Sequence, residues 1–175
     1  MNPLDSFSFT QLLWLVPIFF ALHNMEEAPF MADWSKKLPI KIHPVISTRQ
    51  FVAAVTILTL AGFILTFLGI TQTPKPMGYL VILEIQMALA FNAIVPHLFT
   101  ALRFRKYNPG MVTALLVNVP FSFYLFQQAL NAKVIERTQV WYLLALAPFV
   151  SIFAIIFSLS IGKWVVTILF PPSAE

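Results

Sequence analysis

The chain is 175 residues long, with 59% hydrophobic and 10% charged residues, 18 phenylalanines and a formal net charge of +4. Soluble domains carry roughly 25% charged residues, so the composition excludes an ordinary water-soluble domain, and nothing in it points to nucleic acid as a partner. It predicts a single membrane domain over residues 1–175, an all-α polytopic bundle whose first partner is the lipid bilayer. The absence of cysteine excludes disulfides, thiolate metal ligands and thiol catalysis.

About 20 apolar residues at 1.5 Å each cross the hydrocarbon core, and five stretches meet that length in chain order. Residues 8–30 form the first, expected to be retained because neither a basic leader nor a small-residue cleavage pattern accompanies it. Residues 31–48 mix Trp34 with lysines and prolines, which predicts a segment lying in the interface. The second span, residues 50–70, is free of charge. The third, residues 77–102, carries Glu84, Asn92 and His97, and residues 111–130 and 140–162 supply the fourth and fifth. Lys36, Lys37, Lys41, Arg49, Arg103, Arg105, Lys106 and Lys163 fall on one side of these spans, and Lys75, Lys133 and Arg137 on the other. This asymmetry predicts an N-terminus outside and a C-terminus in the cytoplasm, in a cell (inner, cytoplasmic) membrane.

That topology gathers the polar groups of three spans at one depth. His23, Glu26 and Glu27 end the inward-running first span, Asn92 and His97 lie in the inner half of the third, and Thr113 and Asn118 begin the fourth. An ionisable group inside a bilayer costs at least about 2.5 kcal/mol on insertion scales, so it is rarely there without a partner. At about 100° per residue His23, Glu26 and Glu27 share one helix face. Two readings stay open: an imidazole–carboxylate ligand pair of the kind found in bundle metal sites, or a local pair whose glutamates reach to the surface. Pro96 cannot donate to the carbonyl of Asn92, which predicts a kink and a freed oxygen beside His97.

In "YNPGMVT", residues 107–113, Pro109-Gly110 predicts a turn that delivers the chain into the fourth span. The first amides of that helix, with Arg103, Arg105 and Lys106 upstream, form a candidate seat for a phosphate or lipid headgroup. The simpler reading is a turn plus a topology signal.

"HNMEE", "NAIVPH" and "YNPGMVT" together resemble the HXXEE-domain family of small prokaryotic membrane proteins. That family is marked by His-x-x-Glu-Glu, an Asn-Ala element followed by His, and Tyr-x-Pro-Gly-x-x-Thr. The matching positions are His23, Glu26 and Glu27; Asn92, Ala93 and His97; and Tyr107, Pro109, Gly110 and Thr113. The resemblance implies a membrane protein suspected of catalysis and supplies no reaction.

Chemistry narrows the options. No HExxH or GxSxG is present, and three histidines are too few for a histidine-rich di-iron enzyme. The leading expectation is an intramembrane metal-dependent enzyme, of hydrolase or isomerase type, acting on a lipidic or isoprenoid-like molecule. His23, His97 and Glu27 would hold one or two divalent ions, zinc or iron. Glu26 or Glu27 would serve as general base, and Asn92 would steer a ligand. Tyr107, Gly110, Thr113, Arg103 and Asn118 are the expected substrate or headgroup contacts. Metal-free acid/base chemistry by the same carboxylates is one alternative. A non-enzymic ion or proton relay with Glu84 as second station is the other. A homo-oligomer is compatible with so small a bundle, but no small-xxx-small motif marks an interface.

Overall fold

Each long helix starts where its sequence provides a cap. Ser8 and Gln11 form a reciprocal capping box at the start of α1 (Phe9–Glu27). After a turn the chain forms the short α2 (Met31–Lys37). Ser47 accepts from the amide of Gln50 at 3.1 Å and opens α3 (Thr48–Thr71). α4 (Lys75–Phe104) has proline in its first turn and ends at Arg105, whose φ of 50° reverses the chain. α5 begins after Gly110 (φ 82°) with Met111–Thr113, continues through a π-helical turn, Ala114–Asn118, and runs on as Val119–Asn131. α6 (Arg137–Leu169) is the longest, at 33 residues. This computed structural model describes residues 3–37, 45–72 and 74–171, and among them there is no strand. The all-α expectation holds. Lys41 and the middle of the predicted interfacial segment lie outside the described residues.

Three helices, α3, α4 and α6, are long and apolar enough to cross a membrane. The expected first and fourth spans are helices too, α1 and α5, but they do not reach that apolar length. The reason is their content: α1 ends in His-Asn-Met-Glu-Glu, and α5 carries Asn118, Gln127 and Gln128. α3 and α6 face outward, with 22% and 11% of their central windows buried, against 50% for α4. α4 is the hub: it packs against α1, α3, α5 and α6. Its Ile82 and Leu83 meet Leu12, Leu13 and Val16 of α1, Phe121 and Leu125 of α5, and Ala147 of α6 in one core.

Polar side chains tie the helices in pairs. Asn24 of α1 donates to Thr59 of α3 at 2.9 Å, Gln86 of α4 to Ser122 of α5 at 2.7 Å, and Ser151 of α6 to the carbonyl of Ala88 at 3.0 Å. Such bonds are worth on the order of 0.6 kcal/mol each in a membrane interior, so they set register more than stability. Close approach is left to small residues. Ala54, Gly62, Thr66 and Gly69 are the small members of the buried side of α3. They form a small-residue face that serves packing within the chain, and sequence inspection did not single it out. Gly69 and Gly78 touch backbone to backbone at the α3–α4 crossing, where a Cβ on Gly78 would collide with the Gly69 carbonyl.

Overpacking a rigid contact costs about 1–3 kcal/mol. Gly78→Ala is therefore expected to lower the melting temperature in detergent clearly. Gly62→Ala, whose Cβ would meet only Pro17 at an ordinary 3.6 Å, should leave it unchanged.

Candidate functional site

His23 and Glu27 lie one turn apart on the last turns of α1, and His97 is brought to them by α4. Pro96 lacks an amide hydrogen, and the helix responds with a π-helical turn, Ala93–Leu98, instead of a simple kink. Within it Phe99 bonds back to Ile94, five residues earlier. The Pro96 carbonyl takes donors from the Thr100 hydroxyl and from the Asn108 amide, the latter at 3.1 Å. The turn presents His97 to α1. Glu27 Oε1 lies 3.3 Å from His97 Nε2 and 3.7 Å from His23 Nε2, and the two rings meet edge to face at 4.9 Å. All three residues are buried, and one ligand atom from each falls within 4.8 Å of the others.

The two glutamates divide their work. Glu26 turns away from the histidines and caps the start of α5. Its Oε1 accepts from the Tyr107 hydroxyl at 2.6 Å and the Val112 amide at 3.1 Å. Its Oε2 accepts from the Thr113 amide at 2.7 Å and the Thr113 hydroxyl at 2.5 Å. Desolvation and the adjoining carboxylate push the Tyr107 hydroxyl up to about 12, so it remains a donor at physiological pH. The amides that the sequence offered to a phosphate are thus occupied by the chain's own carboxylate. Arg103, Arg105 and Lys106 are exposed, and Arg103 stacks over Phe104. Asn118 is buried elsewhere: its carbonyl accepts from Gln86 and Ser122, and no contact among the described residues joins it to the histidines. Equal depth did not mean equal direction.

Hydrogen bonding places the proton of the His23 imidazole. The Thr113 hydroxyl gives its one hydrogen to Glu26, its shortest acceptor, so His23 Nδ1, 3.1 Å from Thr113 Oγ1, is the donor there. His97 Nε2 meets two groups at once, the Asn92 side-chain amide at 3.1 Å and Glu27 Oε1 at 3.3 Å, while the lone pair of His23 Nε2 faces the same carboxylate. Among the described residues no lysine or arginine pairs with that carboxylate. Two imidazoles and a carboxylate converging in a buried volume could hold a metal ion, and a proton on Glu27 reconciles them equally well. His23 held through Nδ1 by a hydroxyl that a carboxylate orients is the arrangement that supports metal ligands elsewhere.

Gly110 closes the cluster from the α5 side. A Cβ there would come within 2.6 Å of both Glu27 Cγ and His23 Cε1, and the φ of 82° independently favours glycine. Its role is to let backbone cover the site. Two residues escaped the sequence reading, although both lie inside the quoted motifs. Asn24 ties α1 to α3. Asn108, 2% exposed, braces the Pro96 carbonyl and Thr100 and lies against His97. A buried asparagine within such a motif is the signal that would have found them. His23, Glu27, Asn92 and His97 form part of the wall of a cavity of about 310 Å³ whose remaining lining is mostly apolar and comes chiefly from α3, α4 and α6.

These features define a helical bundle with a buried His–Glu–His cluster beside an apolar cavity. The chain belongs to the HXXEE family: the model of that family, described as proteins of unknown function with an HXXEE motif, matches residues 14–125. The match runs from within α1 to within α5 and includes every residue of the cluster. The chain is also similar to the uncharacterized protein YrkK of Bacillus subtilis (strain 168), with 27% identity over 117 residues, 66% of this chain and 73% of that protein. No solved structure matches.

Loss of a helix cap costs about 0.5–2 kcal/mol. Glu26→Ala is expected to lower thermal stability by that order, and Glu26→Gln, which keeps one acceptor oxygen, by less; melting curves in detergent would check both.

Proposed function

We propose that the chain is a membrane enzyme that holds a divalent cation, zinc or iron, at His23, Glu27 and His97 and acts on a lipidic molecule. The observation that supports the reading is the convergence of two buried imidazoles and one buried carboxylate, which no lysine or arginine among the described residues pairs with. Two nitrogens and one oxygen suit either metal and leave a coordination position open. Zinc in such a setting lowers the pKa of bound water to about 7, which supports hydrolysis or isomerisation chemistry. Glu27 is a ligand, Asn92 orients the substrate's polar end, and Glu26 positions His23 through Thr113. All five long helices cross the bilayer in this reading, α1 and α5 being carried inside the wall of apolar helices. The lysine and arginine asymmetry sets the N-terminus outside and the cluster in the cytoplasmic half of a cell membrane.

A second reading, metal-free acid/base catalysis, draws on the same convergence, because a shared proton also fills it. A relay through Glu84 has one observation in its favour: both oxygens of that buried carboxylate are without a hydrogen-bond partner. However, Met87, Ala88, Leu89 and Ala93 make up most of the buried surface of α4 between it and His97.

Elemental analysis of the detergent-purified protein is the first test. Near-stoichiometric zinc or iron, lost in both His23→Ala and His97→Ala, is expected; metal-free but folded wild-type protein would sink the metal reading. Thr113→Val should weaken metal binding about 10–100-fold, as losses of such supporting contacts do, while Thr113→Ser restores it. Glu84→Gln should leave metal content and any activity intact. Activity lost with metal retained would favour the relay.

A further inference from the structure

Resting on the metal-site reading, we infer that the cavity binds a lipid with one chain and an uncharged polar end, a hydroxyl or carbonyl oxygen, rather than a phospholipid or other anion. Shape is the first argument. The residues that line the cavity on α3 run from Phe51 to Leu65, and those on α4 from Ile85 to His97. At 1.5 Å per residue these stretches are ~21 and ~18 Å long. A cavity of about 310 Å³ lined over that length matches a single extended chain.

Polarity is the second. The nitrogen and carboxylate groups in the wall gather at one level, that of His23, Glu27, Asn92 and His97, with Asn24 and Asn108 beside them. The two serines that line the α6 side spend their hydroxyls on backbone carbonyls, Ser151 on Ala88 and Ser158 on Ile155. Beyond the cluster only these two hydroxyls and the indole of Trp34 interrupt an otherwise apolar wall.

Charge is the third. Among the described residues no lysine or arginine lines the cavity. The basic residues near the site, Arg103, Arg105 and Lys106, are exposed, and the α5 amides are taken by Glu26. A divalent ion at the cluster would be balanced by Glu27 and the nearby Glu26, leaving no net positive charge for a phosphate. Burying an unpaired anion there is unfavourable. Leu65 and Ile155 line the cavity and are also surface residues, 42% and 38% exposed, so a chain can slide in sideways from the bilayer.

The test is native mass spectrometry of the full chain incubated with hexadecanol or hexadecyl phosphate, beside Ala154→Phe and Ala61→Phe, which narrow the cavity from two helices away from the cluster. One hexadecanol per chain is expected, favoured over the phosphate by more than about tenfold, and lost in the phenylalanine variants. Melting curves of the same samples report that each variant is folded, and their metal content is read separately. Equal or preferential uptake of the phosphate, or uptake indifferent to both phenylalanines, overturns the inference. Metal present with no probe bound would remove the lipid site and leave the metal centre standing. Hexadecanol bound in a metal-free wild-type protein, and displaced by either phenylalanine, would do the reverse.

Discussion

The carboxylate of Glu26 at the start of α5 is the contact on which the site depends. Four donors from one turn of α5 and from Tyr107 converge on two oxygens at the end of α1, so the helices are joined by charge-assisted bonds at the level of the cluster. Because the Thr113 hydroxyl is committed to Glu26, it can only accept from His23, and the His23 ring is held with its Nε2 lone pair facing Glu27. One anion thus anchors a helix, satisfies amides that would otherwise be unpaired, and fixes a tautomer.

The same site draws on two irregular turns. Pro96 converts part of α4 into a π turn that presents His97, and a second π turn in α5 begins directly after Thr113. Regular helices on either side of both keep the irregularity local. Gly110 then allows backbone to lie on His23 and Glu27 where any side chain would collide with them. The cluster is therefore covered by protein on the α5 side and open toward the apolar cavity on the other. That asymmetry is the physical basis for reading it as a place where a hydrophobic molecule meets a polar centre.

Much of this was legible in the chain. Hydropathy located all five long helices, and the motifs marked His23, Glu27, Asn92 and His97, which the structure brings together. Other parts were not. Glu26 and Glu27 flank His23 almost symmetrically on a helical wheel, so periodicity could not tell the cap from the ligand candidate. Asn118 shared the expected depth, but no contact among the described residues joins it to the histidines, and its backbone carbonyl accepts from Gln86 and Ser122. The helix N-terminus that looked ready for a phosphate was already filled from a residue more than eighty positions away.

What the sequence determined by itself is local: apolar length, capping residues, the proline in α4 and the glycine turn before α5, each of which acts on its own few neighbours. What only the tertiary structure decided is rotational: which face of each helix points where. That depends on the close approach of α3 and α4 at Gly69 and Gly78, on the Asn24–Thr59 tie, and on the packing of α1 and α5 around α4. Rotation about a helix axis is set by what the helix touches. No spacing within a single helix records it.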